Sequence, residues 1–336
     1  MSCVLVTPRF RASRHVVALV LPAGGTRPAL VAKVPRLPDD RAGVDKEAEN
    51  LRLAQGARPE GFATIPRVVA FEDDLGACPG TLVMPAREGF SDRPLGRPIL
   101  VETALAGPAL GPDVIRRERS RCVDAVVSWL GELPRLEPNG LAGRALYERR
   151  LEEPLRRFAS VFGGEEGALV ERTLEIADPL NRPELPSVFE HGDLSHPNLI
   201  QLTDGRVGVV DWELAEPRGL PAQDLSFFLA YVAFATRRAG TIERQVAAFD
   251  EAFVTPGAWA RPLLAGYADR QGVPRSLLTP LFVACWARYT ARLLERIEGE
   301  LGGRPTGPEA AEFVRNNRYY ALWRHALEHA GKLSWE

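Results

Sequence analysis

The sequence predicts an α+β chain of two lobes: a small N-terminal β-sheet lobe with one helix, and a large, mainly helical C-terminal lobe. Three observations carry this. Residues 1–85 alternate β-rich runs with turn residues around a single amphipathic stretch. From 113 onward apolar residues recur at helical spacing. The one interruption, 188–213, holds two short apolar runs around a Thr-Asp-Gly turn. The boundary is set at 85/86, giving lobes 1–85 and 86–336.

Taken in order, HVVALVL (15–21) and ALVAKV (29–34) flank the turn-rich PAGGTRP and read as a hairpin. DDRAGVDKEAENLRLAQG (39–56) reads as a helix, with an Asp N-cap candidate, apolar Val44, Ala48, Leu51 and Leu53, and Gly56 at its end. TIPRVVAFED (64–73) and GTLVMP (80–85) read as two more strands. Between 85 and 112 Pro and Gly dominate, which reads as a linker followed by a loop. Helices are expected over 113–133, 144–162, 165–180, 222–238, 241–253, 276–301 and 308–333. The aromatic positions Phe227, Phe228, Tyr231, Phe234, Trp286 and Tyr289 are expected in the core of that lobe.

The 336 residues are 45% hydrophobic and 26% charged, with a formal net charge of -2. That composition suits a globular core and offers no electrostatic reason to expect nucleic acid or an anionic membrane as partner. No apolar run is long enough to span a bilayer, and MSCVLVTPRFRASRH lacks the apolar core of a signal peptide, so a cytoplasmic location is expected. Cys3, Cys78, Cys122 and Cys285 are too scattered for a zinc knuckle or a CxxC redox site. The basic residues are almost all Arg, a compositional bias that gives no single arginine weight. The three lysines, Lys33, Lys46 and Lys332, stand out against it.

The chemistry-bearing residues gather in EHGDLSHPNLI (190–200) and VVDWE (209–213). A hairpin around the Thr-Asp-Gly turn can bring Asn198 and Asp211 together, and two oxygen ligands with open positions suit magnesium. Asp193, on the same loop, can face an acceptor hydroxyl. Taken alone, these three residues fit ordinary Asx-turn and cap chemistry equally well. Lys33 in an apolar strand and Glu47 in the following helix are what a phosphate-gripping ion pair needs, though each taken singly also fits a solvated strand position and an exposed helix charge. His191 and His196 lack the spacing of a one-face helical pair and have no third ligand nearby, which argues against zinc.

The ordered set resembles the aminoglycoside phosphotransferase family, a branch of the protein-kinase-like fold that includes choline and homoserine kinase relatives. HGDLSHPN and VVDWE resemble its catalytic loop and metal-binding segment, and the likeness extends through Lys33, Glu47, LVMPARE and Asp224. The resemblance implies a bilobal kinase-like fold, ATP (or GTP) and Mg2+. Asp193 would orient the acceptor hydroxyl, and Asn198 and Asp211 would hold magnesium. Lys33, kept in place by Glu47, would contact the α/β-phosphates. Met84 and Ala86 would lie at the backbone that meets adenine, while His191 and Asp224 would brace the loop.

The sequence departs from protein kinases at Ser195, where they carry a lysine, and at DWE, where they carry DFG. An ordinary protein kinase is therefore not expected. The loop expected over the phosphates, RFRASR, contains no glycine, so Ser13 or the loop's Arg residues are the candidates there to compensate. The first-ranked function is phosphate transfer from a nucleoside triphosphate to a hydroxyl of a small molecule: antibiotic, sugar or amino alcohol. Phosphorylation of Ser/Thr in a precursor peptide during natural-product biosynthesis ranks second, and a non-catalytic kinase-like nucleotide- or peptide-binding protein third. Glu295, Glu298 and Glu300 are the candidates for an acidic acceptor pocket.

Overall fold

The computed structural model describes residues 1–6, 15–36, 41–58, 62–72, 98–134, 143–182, 185–301 and 307–335. The chain divides into two compact units: residues 1–108 with 202–215, and residues 109–201 with 216–336. Residues 85 and 86, where the boundary was expected, lie outside the described residues, as does the expected strand 80–85.

The first unit is a five-stranded antiparallel sheet with one helix. Its strands are β1 (Ser2–Val6), β2 (His15–Leu21), β3 (Leu30–Pro35), β4 (Val68–Glu72) and β5 (Ile99–Thr103), and its helix is α1 (Ala42–Gly56). The sheet order is β1-β2-β3-β5-β4. β2 and β3 form the expected hairpin, with Val17 opposite Lys33.

Two strands differ from expectation. β1 was not anticipated; it is the outer strand beside β2, with Val4, Leu5 and Val6 exposed. β5 falls inside the stretch read as linker and loop. Its sequence, ILVET, has the β-branched content of a strand, but the Pro and Gly around it hid that signal. Val44, Ala48 and Leu51, at i, i+4 and i+7, point one face of α1 inward, and Val44 and Ala48 join Leu100 of β5 in a buried cluster.

The second unit is mostly helical. α2 (Pro112–Arg117) and α3 (Arg119–Glu132) share the segment expected as one helix, and α4 (Gly143–Tyr147), α5 (Glu153–Phe162) and α6 (Gly164–Ala177) follow. Four short strands come next: β6 (Val188–Glu190), β7 (Leu199–Gln201), β8 (Val207–Val209), which belongs to the first unit, and β9 (Glu216–Gly219). β6 and β9 pair antiparallel.

The remaining helices are α7 (Gln223–Arg237), α8 (Ile242–Phe249), α9 (Arg261–Gln271), α10 (Leu278–Ala291), α11 (Leu293–Leu301), α12 (Pro308–Arg315) and α13 (Arg318–His329). α10 is buried along almost its whole length and packs against α5, α6, α7 and α13. A helix apolar on every side has no solvent face, so it becomes the axis around which the others assemble. Phe227, Phe228, Phe249, Phe282, Trp286 and Trp323 fill the space around it. No helix among the described residues is long and apolar enough to cross a membrane.

Candidate active site

In the first unit the chemistry centres on Lys33. The pleat of β3 turns it to the buried side, where only 7% of its surface is exposed. Glu47 lies on the inward stripe of α1, in a position that would otherwise take an apolar residue. Its Oε1 accepts from Lys33 Nζ at 2.5 Å and from the backbone N–H of Trp212 at 2.9 Å. Asn50, one turn on, donates to the carbonyls of Trp212 and Ala215 at 3.0 and 2.9 Å. The segment after Asp211 is thereby bonded to α1 on both sides of Trp212.

A third carboxylate meets the lysine. Leu100 pairs with Lys33 across the sheet, so Glu102, two residues on, shares that face of β5. Its Oε1 lies 3.3 Å from Lys33 Nζ, and the residue is 2% exposed. Burial opposes the charge on Lys33, but Glu47, then Glu102, then Asp211 outweigh it and its pKa is raised. Glu102 itself is pushed up to about 7 by burial, against the pull of Lys33. The linker reading of 85–112 concealed Glu102; a buried-strand reading of ILVET would have exposed it as a charge on the core face.

Asp211 follows β8 with φ +70°, in the left-handed region where a non-glycine residue costs about 1–2 kcal/mol. Strain of that kind persists where the backbone on either side is held, and here the Trp212 N–H and carbonyl are both bonded to α1.

In the second unit the loop after β6 is fixed at its base. Gly192 has φ +82°, which favours glycine, and Asp224 at the start of α7 accepts from the N–H groups of His191 and Gly192 at 2.6 and 2.9 Å. Burial and the neighbouring Glu190 carboxylate push the Asp224 carboxyl up to about 7. The Gly192 carbonyl accepts from Tyr289 Oη at 3.0 Å and Arg292 Nη1 at 2.9 Å. Arg288 donates to Glu190 Oε2 at 3.1 Å and to Gln223 Oε1 at 3.0 Å. Gly219 lies so close to Glu190 that a Cβ there would come within 2.3 Å of the Glu190 Cβ.

Above this base stands Asp193. Asn198 Nδ2 donates to both its carbonyl, at 2.9 Å, and its Oδ2, at 3.0 Å. The backbone N–H of Asp193 lies 3.3 Å from His191 Nδ1, and Ser195 Oγ lies 3.5 Å from its Oδ1. His191 is fully buried; His196 is half-buried, and burial lowers its pKa.

Glu190, Arg288 and Arg292 were not singled out from the sequence, and Tyr289 was expected only as a core aromatic. In so arginine-rich a chain, no local signal separates these two guanidiniums from the rest. Ser13, Met84 and Ala86 lie outside the described residues.

In the second unit Asn198 commits its Nδ2 to Asp193, which leaves its Oδ1 as the atom open to a cation, and in the first unit Asp211 carries a carboxylate. Each is a hard oxygen donor of the kind Mg2+ takes.

A model of the phosphotransferase enzyme family matches residues 11–267. Solved structures give the same fold. Choline kinase LicA from Streptococcus pneumoniae superposes with a TM-score of 0.55 at 12% identity, covering 98% of this chain and 93% of its own. An ethanolamine kinase from Plasmodium vivax gives 0.56 at 11% identity, covering 97% and 82%. A thermostable mutant of aminoglycoside phosphotransferase APH(4)-Ia, in ternary complex with ADP and hygromycin B, gives 0.53 at 14% identity, covering 96% and 94%. No curated protein sequence matches the chain.

Proposed function

The chain belongs to the phosphotransferase enzyme family, and from that premise we propose that it transfers the γ-phosphoryl group of ATP to a hydroxyl of a small molecule. The observation that carries this reading is the loop built around Asp193. Its base is bonded through Asp224, Tyr289 and Arg292, and its carboxylate is aimed by Asn198. Such anchoring suits a reaction in which positioning and charge neutralisation supply most of the rate. The adenine nucleotide follows the ADP bound by the APH(4)-Ia relative.

The acceptor oxygen attacks the γ-phosphorus as the bond from that phosphorus to the ADP oxygen breaks. The hydroxyl proton passes to the Asp193 carboxylate. Lys33, held by Glu47, binds phosphate oxygens. Asn198 and Asp211 would each offer an oxygen ligand to magnesium, which would supply positive charge at the phosphates. His191 and Asp224 act on the loop backbone.

The test is ADP release by purified chain with Mg-ATP over a panel of hydroxyl acceptors, compared with Asp193→Asn. Removing a general base lowers turnover by about 10²–10⁴. Near-normal transfer by Asp193→Asn sinks the assignment.

A further inference from the structure

The groups beside Asp193 bear on which acceptor it faces. Two phenols stand together there, Tyr231 and Tyr319, with their hydroxyl oxygens 3.1 Å apart. Burial raises the pKa of both. Tyr319 lies 5.5 Å, centroid to centroid, from Tyr289, whose hydroxyl donates to the Gly192 carbonyl next to Asp193, and the Asp193 carboxylate adds to the rise at both phenols. His196 flanks Tyr231 with a centroid separation of 5.9 Å.

Two arginines add positive charge to this patch. The Arg318 guanidinium lies 5.9 Å from the Tyr231 ring centroid, and Arg318 and Arg296 both act on the Tyr231 phenol in the sense opposite to Asp193. Among the described residues neither forms an ion pair. That separates them from Arg288 on Glu190, Arg315 on Glu166 and Arg324 on Glu165. Arg318 is also the first residue of α13, whose N-terminal partial charge is positive.

The acidic candidates lie elsewhere. Glu298 is bonded to Arg157, and Glu295 lines a separate cavity of about 210 Å3 with Arg149, Arg150 and Arg292. The Glu300 side chain is outside those described. A cation cage needs open aromatic faces. Here Arg318 lies at the Tyr231 ring, and Phe227 is stacked on Tyr289 at 4.0 Å. A polycation or a quaternary ammonium would meet guanidiniums where it needs carboxylates or bare rings.

We propose that the acceptor carries an anionic group, a carboxylate or a phosphate, which Arg318 and Arg296 bind while its hydroxyl faces Asp193. Tyr231 and Tyr319 supply hydrogen bonds between the two ends. This rests on the phosphotransfer reading for the role of Asp193, and it reverses the charge of the acceptors that the names of the neighbouring structures suggest.

The test is calorimetry on the full chain with Mg-ADP present, using four probes: glycerol 3-phosphate, 4-hydroxybutyrate, glycerol and choline. At least one anion binds, and glycerol and choline show no heat. The phosphate and carboxylate probes tell which anion is preferred. In the Arg296→Gln/Arg318→Gln variant the Kd of the bound anion rises about tenfold or more, and Arg296→Lys/Arg318→Lys recovers most of the loss.

Choline binding as tightly as the better anion, heat from neither anion, or an unchanged Kd in the double Gln variant overturns the proposal. Binding is read without turnover, so these outcomes stand apart from the Asp193→Asn assay of phosphotransfer.

Discussion

Glu102 sets one carboxylate oxygen 3.3 Å from Lys33 Nζ, while its other oxygen is buried without a hydrogen-bond partner among the described residues. Lys33 is thus shared between two buried acids that each keep one oxygen unpartnered among the described residues, and of the two bonded oxygens that of Glu47 is also held by the Trp212 N–H. On the proposed function, phosphate oxygens at Lys33 are expected to compete with Glu102 more readily than with Glu47, because Glu47 is also held by the Trp212 N–H.

A pH dependence follows. Burial pushes Glu102 up to about 7; Lys33 pulls the other way, and Glu47 and Asp211 add to the rise. Below that pH its carboxyl is neutral and leaves Lys33 to the nucleotide; above it the carboxylate binds Lys33 in competition. The nucleotide KM is expected to rise as pH passes upward through about 7. Glu102→Gln is neutral at every pH and keeps the low KM, giving about a threefold to tenfold difference at pH 8.5. Superimposable KM–pH profiles for the two proteins contradict this.

Asp211→Gly separates function from stability. The change relieves the left-handed strain at φ +70°, so the variant is expected to unfold within about 1 kcal/mol of the native chain or later. Magnesium-dependent nucleotide binding is expected to vanish, because a hard oxygen ligand is gone. Urea melts together with calorimetry of ATP with and without magnesium read both. A variant that keeps magnesium-dependent binding refutes the ligand role.

Asp224→Ala has the opposite character. It strands the buried N–H groups of His191 and Gly192 and is expected to cost about 2–4 kcal/mol of stability as well as activity. Asp193→Asn, by contrast, is expected to melt near the native temperature. Equal melting temperatures for native chain and Asp224→Ala are the contrary result.

Arg288→Met leaves Glu190 buried with its main counter-charge removed, at a cost of about 3–5 kcal/mol. Adding Glu190→Gln to that variant is expected to recover part of the loss. Thermal denaturation of the two single variants and the double variant measures the coupling. Strict additivity of the two substitutions contradicts a coupled buried pair.

The hairpin β2–β3, helix α1 and most of the C-terminal helices were legible because their apolar periods run long enough to outweigh individual residues. β5 was not: five residues among prolines and glycines give too short a run, and Glu102 vanished with it. The loop residues Asp193, Asn198 and Asp224 could be named from their order along the chain. Their supports could not, because Arg288, Arg292 and Tyr289 lie about a hundred residues from the loop they hold and look like any polar position on an apolar helix. Tyr231 was expected in the core with its neighbours; it is half-buried, its hydroxyl bonded to Tyr319 near Asp193. Helical spacing assigns a face, not the polar atom at the end of a ring.

The clasp of α1 on residues 212–215 bears on control. Glu47 takes the Trp212 N–H, and Asn50 takes the Trp212 and Ala215 carbonyls, all at buried positions. An off-state made by swinging this helix outward has to forfeit these three bonds and the Lys33 pair together. No single phosphorylated side chain replaces that many partners. Helix α1 and the 212–215 segment therefore move as one piece or not at all.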